Sequence, residues 1–492
     1  MRPLILIILL FMTILESQCQ NKPAANIAKA AFDLHAQYKE PVIKNRRFKH
    51  RDIVPLIEEL KKNPMFQVKT VGQSIEGRDI YLIKAGTGKT KVMLWSQMHG
   101  DESTATMALF DFFNFLQKPD ALDEVKKKIL QNTTLYFVPM LNPDGAEAFK
   151  RRNAYDIDLN RDALRLQSPE ARLLKSLRDS LNPEFGFNLH DQSRLYTVGT
   201  TNKPATISFL APAFDYAQTV NEVRGRAMHT IVGMNEGLQT LIPGQVAKYS
   251  DDHEPRAFGD NIQKWGTSVI LIESGGYNGD QEKQEIRKLN FATITSALHL
   301  IATKEYTNYK LEDYVKIPQN ERYLYDLVIR KVHHKDKSGH PVLLDVGVNR
   351  SEIPINSPKG FFHRATVEEI GDMSVFHGYE EVNGEGLTLE AGKILDKPIK
   401  QLRDLTPERV KDLLQQGYTT VRLENFSAGV NPTELPLNII RVNGNASHTL
   451  GLGRGANFVL RAADGKVRYA IVNGFVYDMQ GAKPSLLHGV VL

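Results

Sequence analysis

Residues 92–102 read VMLWSQMHGDE and join a short apolar run to a group of metal-binding side chains. The run Val92–Trp95 is typical of a buried strand, and the apolar spacing over 103–116 predicts a helix directly after it. A buried strand followed by a helix is the repeating unit of an α/β sheet. Imidazole nitrogens and carboxylate oxygens are ordinary zinc ligands, so His99 and Glu102 are candidate ligands at this junction.

Apolar runs and helical runs continue to alternate over residues 66–303. The predicted strands are Phe66–Val71, Ile80–Ile83, Leu135–Pro139, Phe185–Leu189 and Ser268–Ile272, and the predicted helices are Pro169–Leu181, Tyr216–Met228 and Gln281–Ala302. This alternation predicts an α/β fold, with a mixed, largely parallel sheet that carries helices on both faces.

The pattern of apolar residues changes past about residue 305, where short strand-like runs separated by turn signals replace the helical spacing. The runs are Leu324–Val332, Val342–Val348, His448–Leu452, Asn457–Arg461 and Val467–Val472, with one helical stretch at Thr406–Gln416. A chain of 492 residues is also too long for one ordinary core. We therefore expect a signal peptide at 1–19, a catalytic domain at 20–310 and a mainly β accessory domain at 320–492.

The N-terminus has the pattern of an export signal. Residues 4–15 form an apolar run broken only by Thr13, which suits a secretory signal and is too short for a membrane span. Cleavage before Gln20 predicts an exported protein, periplasmic or extracellular. Lipid attachment at Cys19 is the alternative, which residues 16–18 fit poorly. No later segment reaches the ~20 apolar residues that a stable membrane span needs.

Composition excludes several kinds of site. Cys19 is the only cysteine, so disulfides and cysteine zinc sites are excluded from the mature chain, and any transition metal must be bound by His, Asp and Glu. The formal net charge of +5 is spread over the chain without a basic block, which argues against a nucleic-acid partner.

Chemically capable residues recur where the predicted strands end. His99 and Glu102 follow one strand, the Asn142–Gly145 turn follows another, and His190 and Glu273 close two more. Ligands of open parallel sheets gather beyond the carboxyl ends of the strands. The sequence therefore predicts that two histidines and two glutamates meet at one edge of the sheet.

Together these stretches resemble the zinc carboxypeptidases of the carboxypeptidase A type. The resemblance covers about residues 50–303, and its motifs occur in the order of that family. They are Gly72–Arg78, His99–Glu102, Asn142–Gly145, Arg151–Ala154, Asp158–Arg161, His190 and Leu271–Glu273.

The resemblance implies a catalytic centre with one zinc ion per chain. His99, Glu102 and His190 match the three zinc ligands, and Glu273 matches the general base that activates water. Arg151 matches the arginine that polarises the scissile carbonyl, although the adjacent Arg152 is an alternative.

The resemblance also implies a peptide substrate with a free C-terminus. Asn160 and Arg161 match the pair that binds the terminal carboxylate. Tyr249, 24 residues before Glu273, is the candidate for the mobile tyrosine that closes over the substrate. The segment 251–260 is expected to shape the side-chain pocket, where Arg256 would suit an acidic residue, Asp260 a basic one and Phe258 an apolar one.

Two positions depart from the family pattern. Asp191 and Gln192 follow His190 where many relatives carry serine, and Ser274–Gly276 follows Glu273 where many carry an arginine two residues on. Two other functions remain open from the sequence: a zinc-dependent deacylase of N-acyl amino acids, and a non-catalytic protein that holds a carboxylate through Arg161.

The C-terminal region has a fainter resemblance to the composite β-domain that flanks amidohydrolase barrels. The matching stretches are Tyr325–Val332, Leu344–Val348, Ala456–Arg461 and Val472–Gly474. The barrel itself is missing, so the resemblance implies a non-catalytic sandwich.

Overall fold

The computed structural model describes residues 23–335, 338–355, 360–425, 432–433, 435–481 and 488–490. The predicted signal peptide and Cys19 lie outside the described residues. The chain divides into two compact units: the first runs up to Arg194 and resumes at Ala205–Asn320, and the second combines Leu195–Pro204 with the chain from Glu321 onward. Within the described part of the chain, no helix combines the length and the apolar character that crossing a bilayer requires.

The first unit is an α/β structure. Its helices are α1 (Pro23–Leu34), α2 (His50–Lys62), α3 (Thr104–Gln117), α4 (Asp123–Asn132), α5 (Pro143–Ala148), α6 (Pro169–Leu181), α7 (Glu222–Gln239), α8 (Phe258–Lys264), α9 (Gln284–Thr303) and α10 (Leu311–Val315). The strands up to residue 274 are β1 (Gln67–Gln73), β2 (Asp79–Ala85), β3 (Thr90–Ser96), β4 (Thr133–Val138), β5 (Phe185–Asp191), β6 (Thr197–Val198), β7 (Ile207–Leu210), β8 (Val246–Lys248) and β9 (Ser268–Ser274), of which β6 belongs to the second unit.

These strands, apart from β6, form one sheet in the order β1-β2-β4-β3-β5-β9-β7-β8. The pairs at its centre, β4–β3, β3–β5 and β5–β9, are parallel, as is β7–β8, whereas β1–β2, β2–β4 and β7–β9 are antiparallel. The carboxyl ends of β3, β4, β5 and β9 therefore share one edge of the sheet. The predicted mixed and largely parallel sheet is confirmed.

Helices cover both faces of this sheet, and alternate residues of β3 accordingly pack in two different cores. Val92 and Leu94 pack in the core that contains the apolar residues of α3 and α9. Met93 and Trp95 pack in the opposite core, with Leu174 of α6 among their neighbours. A strand buried on both faces reads as a continuous apolar run, which is why residues 92–95 were recognisable from the sequence.

One predicted helix begins too early. The apolar spacing from Tyr216 to Met228 predicts helix, whereas α7 begins at Glu222 and extends to Gln239. The side chain of Asn221 caps it by accepting a hydrogen bond from the Arg224 amide (2.9 Å). Asparagine at the cap position competes with helical backbone upstream, and this local stop outweighs the spacing.

The second unit is rich in strands, as predicted. Its further elements are β10 (Asn320–Glu321, which begins at the last residue of the first unit), β11 (Leu324–Lys335), β12 (Pro341–Pro354), β13 (Phe361–Gly371), β14 (His377–Asn383), β15 (Thr388–Ala391), β16 (Lys393–Ile399), α11 (Pro407–Gln415), β17 (Tyr418–Leu423), β18 (Pro432–Thr433), β19 (Asn438–Arg441), β20 (Phe458–Arg461), β21 (Val467–Val472), β22 (Phe475–Asp478) and β23 (Gly489–Val490). Most of the strands belong to one eight-stranded sheet in the order β13-β12-β11-β15-β20-β21-β22, with β14 paired to β11.

Two features of this unit differ from the sequence-based expectation. The predicted strand at His448–Leu452 is wrong, since these residues are irregular. Strands β16, β17 and β19 form a separate parallel sheet, and the apolar face of α11 packs in the same core as β17. The predicted helical stretch at Thr406–Gln416 is thus confirmed as α11, and it joins two parallel strands that the sequence did not predict. The resemblance to the amidohydrolase β-domain stays a prediction.

Candidate metal centre and substrate-binding residues

Three strand ends deliver the predicted site residues. His99 and Glu102 lie in the loop between β3 and α3, and His190 and Glu273 lie near the ends of β5 and β9. The parallel register places His190 directly beside Glu273. All four residues are buried. The strands run slightly further than their sequence predicts, because the ladder between β5 and β9 continues one residue beyond the two site residues.

His99, Glu102 and His190 converge on one point. The Glu102 carboxylate lies between the two rings, with Oε1 2.8 Å from Nδ1 of His99 and Oε2 2.6 Å from Nδ1 of His190. The potential ligand atoms of the three residues all lie within 4.8 Å of one another. Two imidazole nitrogens and a carboxylate are a donor set that fits zinc and leaves a fourth position for water.

The charges of the centre also fit a cation. Burial raises the pKa of Glu273 well above its ordinary value, and the neighbouring Glu102 carboxylate raises it further. Burial opposes the ionisation of Glu102 too, but the two imidazoles outweigh it and hold the pKa of that carboxyl far below its usual range. Among the described residues, Oε2 of Glu273 and Nε2 of His190 are buried polar atoms without a hydrogen-bond partner. Buried carboxylates of this density are ordinarily balanced by a metal ion or another cation.

Asp158 is a residue of the site to which the sequence analysis assigned no role. Its Oδ1 lies 3.1 Å from Nε2 of His99, and its Oδ2 accepts a hydrogen bond from Nε of Arg151 (2.9 Å). A carboxylate on the far nitrogen of a metal-binding histidine fixes the ring and leaves the other nitrogen for the metal. The only sequence signal was its place in the Asp158–Arg161 motif, because residues 59 positions apart show no spacing pattern.

Arg151 and Arg152, the two candidates for polarising the scissile carbonyl, lie in different surroundings. Nη1 of Arg151 lies 3.1 Å from Nδ1 of His99 and 3.3 Å from Oε1 of Glu102, so its guanidinium is at the metal centre. Arg152 is exposed and donates to the backbone carbonyl of Asp156 (2.8 Å). The geometry therefore favours Arg151 over Arg152.

Asn160 and Arg161 lie in a short 3-10 turn at Leu159–Arg161, which Asp158 begins by accepting from the Asn160 amide (2.9 Å). Nη1 of Arg161 donates to the carbonyl of Asn160 (2.7 Å), and its Nε lies 3.2 Å from Glu254. These two contacts orient the guanidinium. Because Glu254 also pairs with Arg256 (2.9 Å), the three side chains together keep one net positive charge.

Tyr249 lies near the edge strand β8, away from the strands that carry His190 and Glu273. It directly follows β8, and its amide donates to the carbonyl of Phe209 (2.8 Å), which pairs with Ile272 of β9. Strand β7 thus lies between the backbone of Tyr249 and strand β9, which carries Glu273. The assignment of Tyr249 as the closing tyrosine stays a prediction.

The three pocket candidates have different surroundings. Phe258 is fully buried in the core against Trp265, so its ring is part of the packing. Arg256 is exposed and paired with Glu254. Asp260 is buried, accepts a hydrogen bond from the Glu254 amide (2.9 Å) and lies 3.1 Å from Nδ1 of His253. Burial raises the pKa of Asp260 to about 6.

The loop that carries His99 and Glu102, here called the ligand loop, is held by the turn that follows β4. The side chain of Asn142 accepts a hydrogen bond from the Gly145 amide (2.9 Å) and donates to the carbonyl of Met98 (3.2 Å). Gly100 lies so close to this turn that a Cβ atom on it would come within 1.9 Å of the carbonyl carbon of Gly145. Glycine is therefore required between His99 and Glu102 because the two backbones touch.

We expect Gly100→Ala to destabilise the first unit. The new methyl group would overlap backbone rather than a flexible side chain, so the loop must shift, at a cost of about 1–3 kcal/mol or more. Urea unfolding of the purified chain measures the effect. Gly225→Ala in α7 is the matched control, since a Cβ there meets nothing within 4 Å. Equal stability of the two variants would contradict the close packing.

Comparison with known proteins supports the same family. A family model described as zinc carboxypeptidase matches residues 53–197. The chain is 28% identical to carboxypeptidase SOL1 of Arabidopsis thaliana, over 22% of this chain and 26% of the relative. It is 26% identical to a probable carboxypeptidase 2 of Trichophyton verrucosum, over 44% of this chain and 36% of the relative. A metallo-carboxypeptidase structure from Burkholderia cenocepacia aligns with a TM-score of 0.42 and 19% identity, over 52% of this chain and 69% of that one.

The chain spans about a quarter to a third of the length of these two curated relatives. The matched residues 53–197 contain the ligand loop, the Asn142–Gly145 turn, the Asp158–Arg161 motif and His190. The family is zinc-dependent, and the donor set described above fits that metal. Over residues 53–197, the chain is thus similar to the zinc carboxypeptidase family.

Proposed function

We propose that this chain is a metallocarboxypeptidase that hydrolyses the C-terminal peptide bond of peptides. One observation carries the proposal: a continuous chain of contacts joins the candidate ligand His99 to the carboxylate-binding pair. Asp158 contacts His99 and, through its other oxygen, Arg151, and it also caps the turn that presents Asn160 and Arg161. A metal-binding group is thereby held at a fixed distance from a group suited to a free carboxylate.

The residues of the site divide the chemistry between them. Zinc, when bound by His99, Glu102 and His190, lowers the pKa of a bound water to ~7 and polarises a carbonyl group. Glu273 takes the proton from the attacking water and passes it to the leaving amine. Arg151 stabilises the oxyanion of the tetrahedral intermediate.

Arg161 selects the end of the peptide. A guanidinium binds a carboxylate through two parallel hydrogen bonds, a geometry that lysine lacks. Glu254 and the carbonyl of Asn160 hold the guanidinium by Nε and Nη1. The net positive charge that Arg256 restores beside this pair favours an anionic partner over a neutral one.

We expect peptides with a free C-terminus to be hydrolysed and the same peptides with an amidated C-terminus to resist hydrolysis. Loss of a charged hydrogen-bonded pair amounts to about 1.5–3 kcal/mol, so Arg161→Gln is expected to lower kcat/KM by roughly 10–100-fold, mainly through KM. Mass spectrometry of the products measures both effects. The exposed Arg165→Gln, four residues along, is the matched control.

The same assay separates the alternatives. Equal turnover of free and amidated peptides would contradict an exopeptidase. Preferential cleavage of N-acyl amino acids would instead support a zinc-dependent deacylase. Binding of free-acid peptides without turnover by the zinc-loaded protein would support a non-catalytic carboxylate-binding protein.

We also propose that the protein is exported and acts in the periplasm or outside the cell. The support is the apolar run at residues 4–15, which follows a short positively charged start and has the length of a secretory signal. Sequencing the N-terminus of the mature protein tests this, and cleavage before Gln20 is the expected result.

A further inference from the structure

A lysine ammonium group bridges the ends of the two strands that carry His190 and Glu273. Nζ of Lys283 lies 3.0 Å from Oδ2 of Asp191 and 3.0 Å from the carbonyl oxygen of Ser274. Asp191 directly follows His190, and Ser274 directly follows Glu273. The side chains of Lys283 and Asp191 are only 14% and 9% exposed. The ion pair is therefore largely shielded from water.

The carboxylate of Asp191 also contacts the segment that follows the ligand loop. Its Oδ2 accepts a hydrogen bond from Oγ1 of Thr104 (2.6 Å), the first residue of α3 and two residues after Glu102. The backbone amide of Asp191 donates to Oε2 of Glu102 (3.3 Å). One carboxylate thus joins the ligand loop, the end of β5 and, through Lys283, the end of β9.

Lys283 is placed against its local preferences. Its φ of +51° is in the left-handed region, which is unfavourable for a side chain of this kind. It also precedes the first residue of α9, where the helix dipole disfavours a positive charge. Asp280, in contrast, caps this helix by accepting from the amides of Gln284 and Glu285 (2.7 and 2.8 Å). A residue that violates local rules while its neighbours obey them indicates a requirement set elsewhere in the fold.

We propose that Lys283 and Asp191 are positioning residues, which hold His190 and Glu273 in the relative geometry that zinc binding and proton transfer need. This proposal rests on the proposed function. The sheet register fixes the backbone of β5 beside β9, and just beyond it the Gln192 amide donates to the carbonyl of Ser274 (3.0 Å). The lysine adds a side-chain connection between these two ends, and its charge balances a carboxylate that would otherwise add to the negative charge of Glu102.

The experiment compares Lys283→Met, Asp191→Asn, the double variant and Lys283→Arg. Zinc affinity of the full chain is measured by competition with a chelator, and kcat and KM are measured separately on a free-acid peptide. We expect Lys283→Met to weaken zinc binding by about 10–100-fold, as loss of an outer partner does, and to lower kcat more than KM. The double variant should recover part of the affinity because it leaves no unpaired carboxylate, and Lys283→Arg should keep most of it.

Lys288→Met is the matched control, since Lys288 lies in the first turns of α9, just after Lys283, and its described contact is with the ring of Phe32. Wild-type zinc affinity in Lys283→Met, with a loss confined to the free energy of unfolding, would overturn the positioning role. Failure of the wild-type chain to cleave any free-acid peptide would instead overturn the proposed function, while the zinc measurement still tests the ion pair. Should Lys283→Met fail to fold, the affinities of Asp191→Asn and the double variant decide the outcome.

Discussion

Glu102→Gln is expected to abolish stoichiometric zinc binding and, with it, peptide hydrolysis. The carboxylate of Glu102 faces Nδ1 of both histidines, through one oxygen each, and it lies at the centre of the donor set. An amide in its place retains the shape but brings no charge, and it presents an amino group to one of the two rings. The loss in zinc affinity should exceed the about 10–100-fold that removal of an outer partner causes.

Metal analysis of the purified variant and chelator competition measure this effect. Asp158→Asn gives an internal scale, because Asp158 contacts His99 from the far side and should produce the smaller loss. Glu124→Gln is the control, since Glu124 is 78% exposed on α4. A Glu102→Gln protein that retains one zinc per chain with unchanged affinity would contradict the ligand assignment.

Glu273→Gln is expected to bind zinc and lose turnover. The residue is not a member of the metal-binding group, so the donor set of the variant stays complete. An amide cannot accept the proton of the attacking water or return it to the amine. General base catalysis typically contributes about 10²–10⁴-fold, and kcat should fall by an amount in this range while KM changes little.

The matched control for this variant is Glu170→Gln. Glu170 is also a buried glutamate with an oxygen that lacks a hydrogen-bond partner, and burial raises its pKa as well. It belongs to α6, outside the site. Stopped-time assays with saturating peptide compare the two variants. Full activity of Glu273→Gln, or an equal loss in both, would refute Glu273 as the base.

The resemblance seen in the sequence pointed to the candidate metal-binding residues because each lies at or just after the end of a strand with a strong local pattern. His99 and Glu102 follow a continuous apolar run, and His190 and Glu273 close two others. Strands buried on both faces show such runs clearly, and their carboxyl ends meet at one sheet edge. The structure adds to this that β5 and β9 are neighbours, which puts His190 beside Glu273.

The surroundings of these residues could not be read in the same way. The contacts of Asp158, Lys283 and Glu254 are with partners that are distant in sequence or lie in irregular loops. The contact between Lys283 and Asp191 joins residues 92 positions apart. The Leu195–Pro204 segment likewise groups with the second unit, because Thr197 donates to the carbonyl of Glu321 (3.0 Å). Local periodicity carries no information about such pairings.

By itself, the sequence determined the fold class and predicted the residues of the candidate metal-binding group. Both depend on local patterns: the period of apolar residues along a strand or helix, and the residue types at its end. Only the tertiary structure favoured Arg151 over Arg152, assigned partners to Arg161 and brought Asp158 and Lys283 beside the candidate ligands. These choices depend on which loops come together in space, and chain packing rather than local conformation sets that.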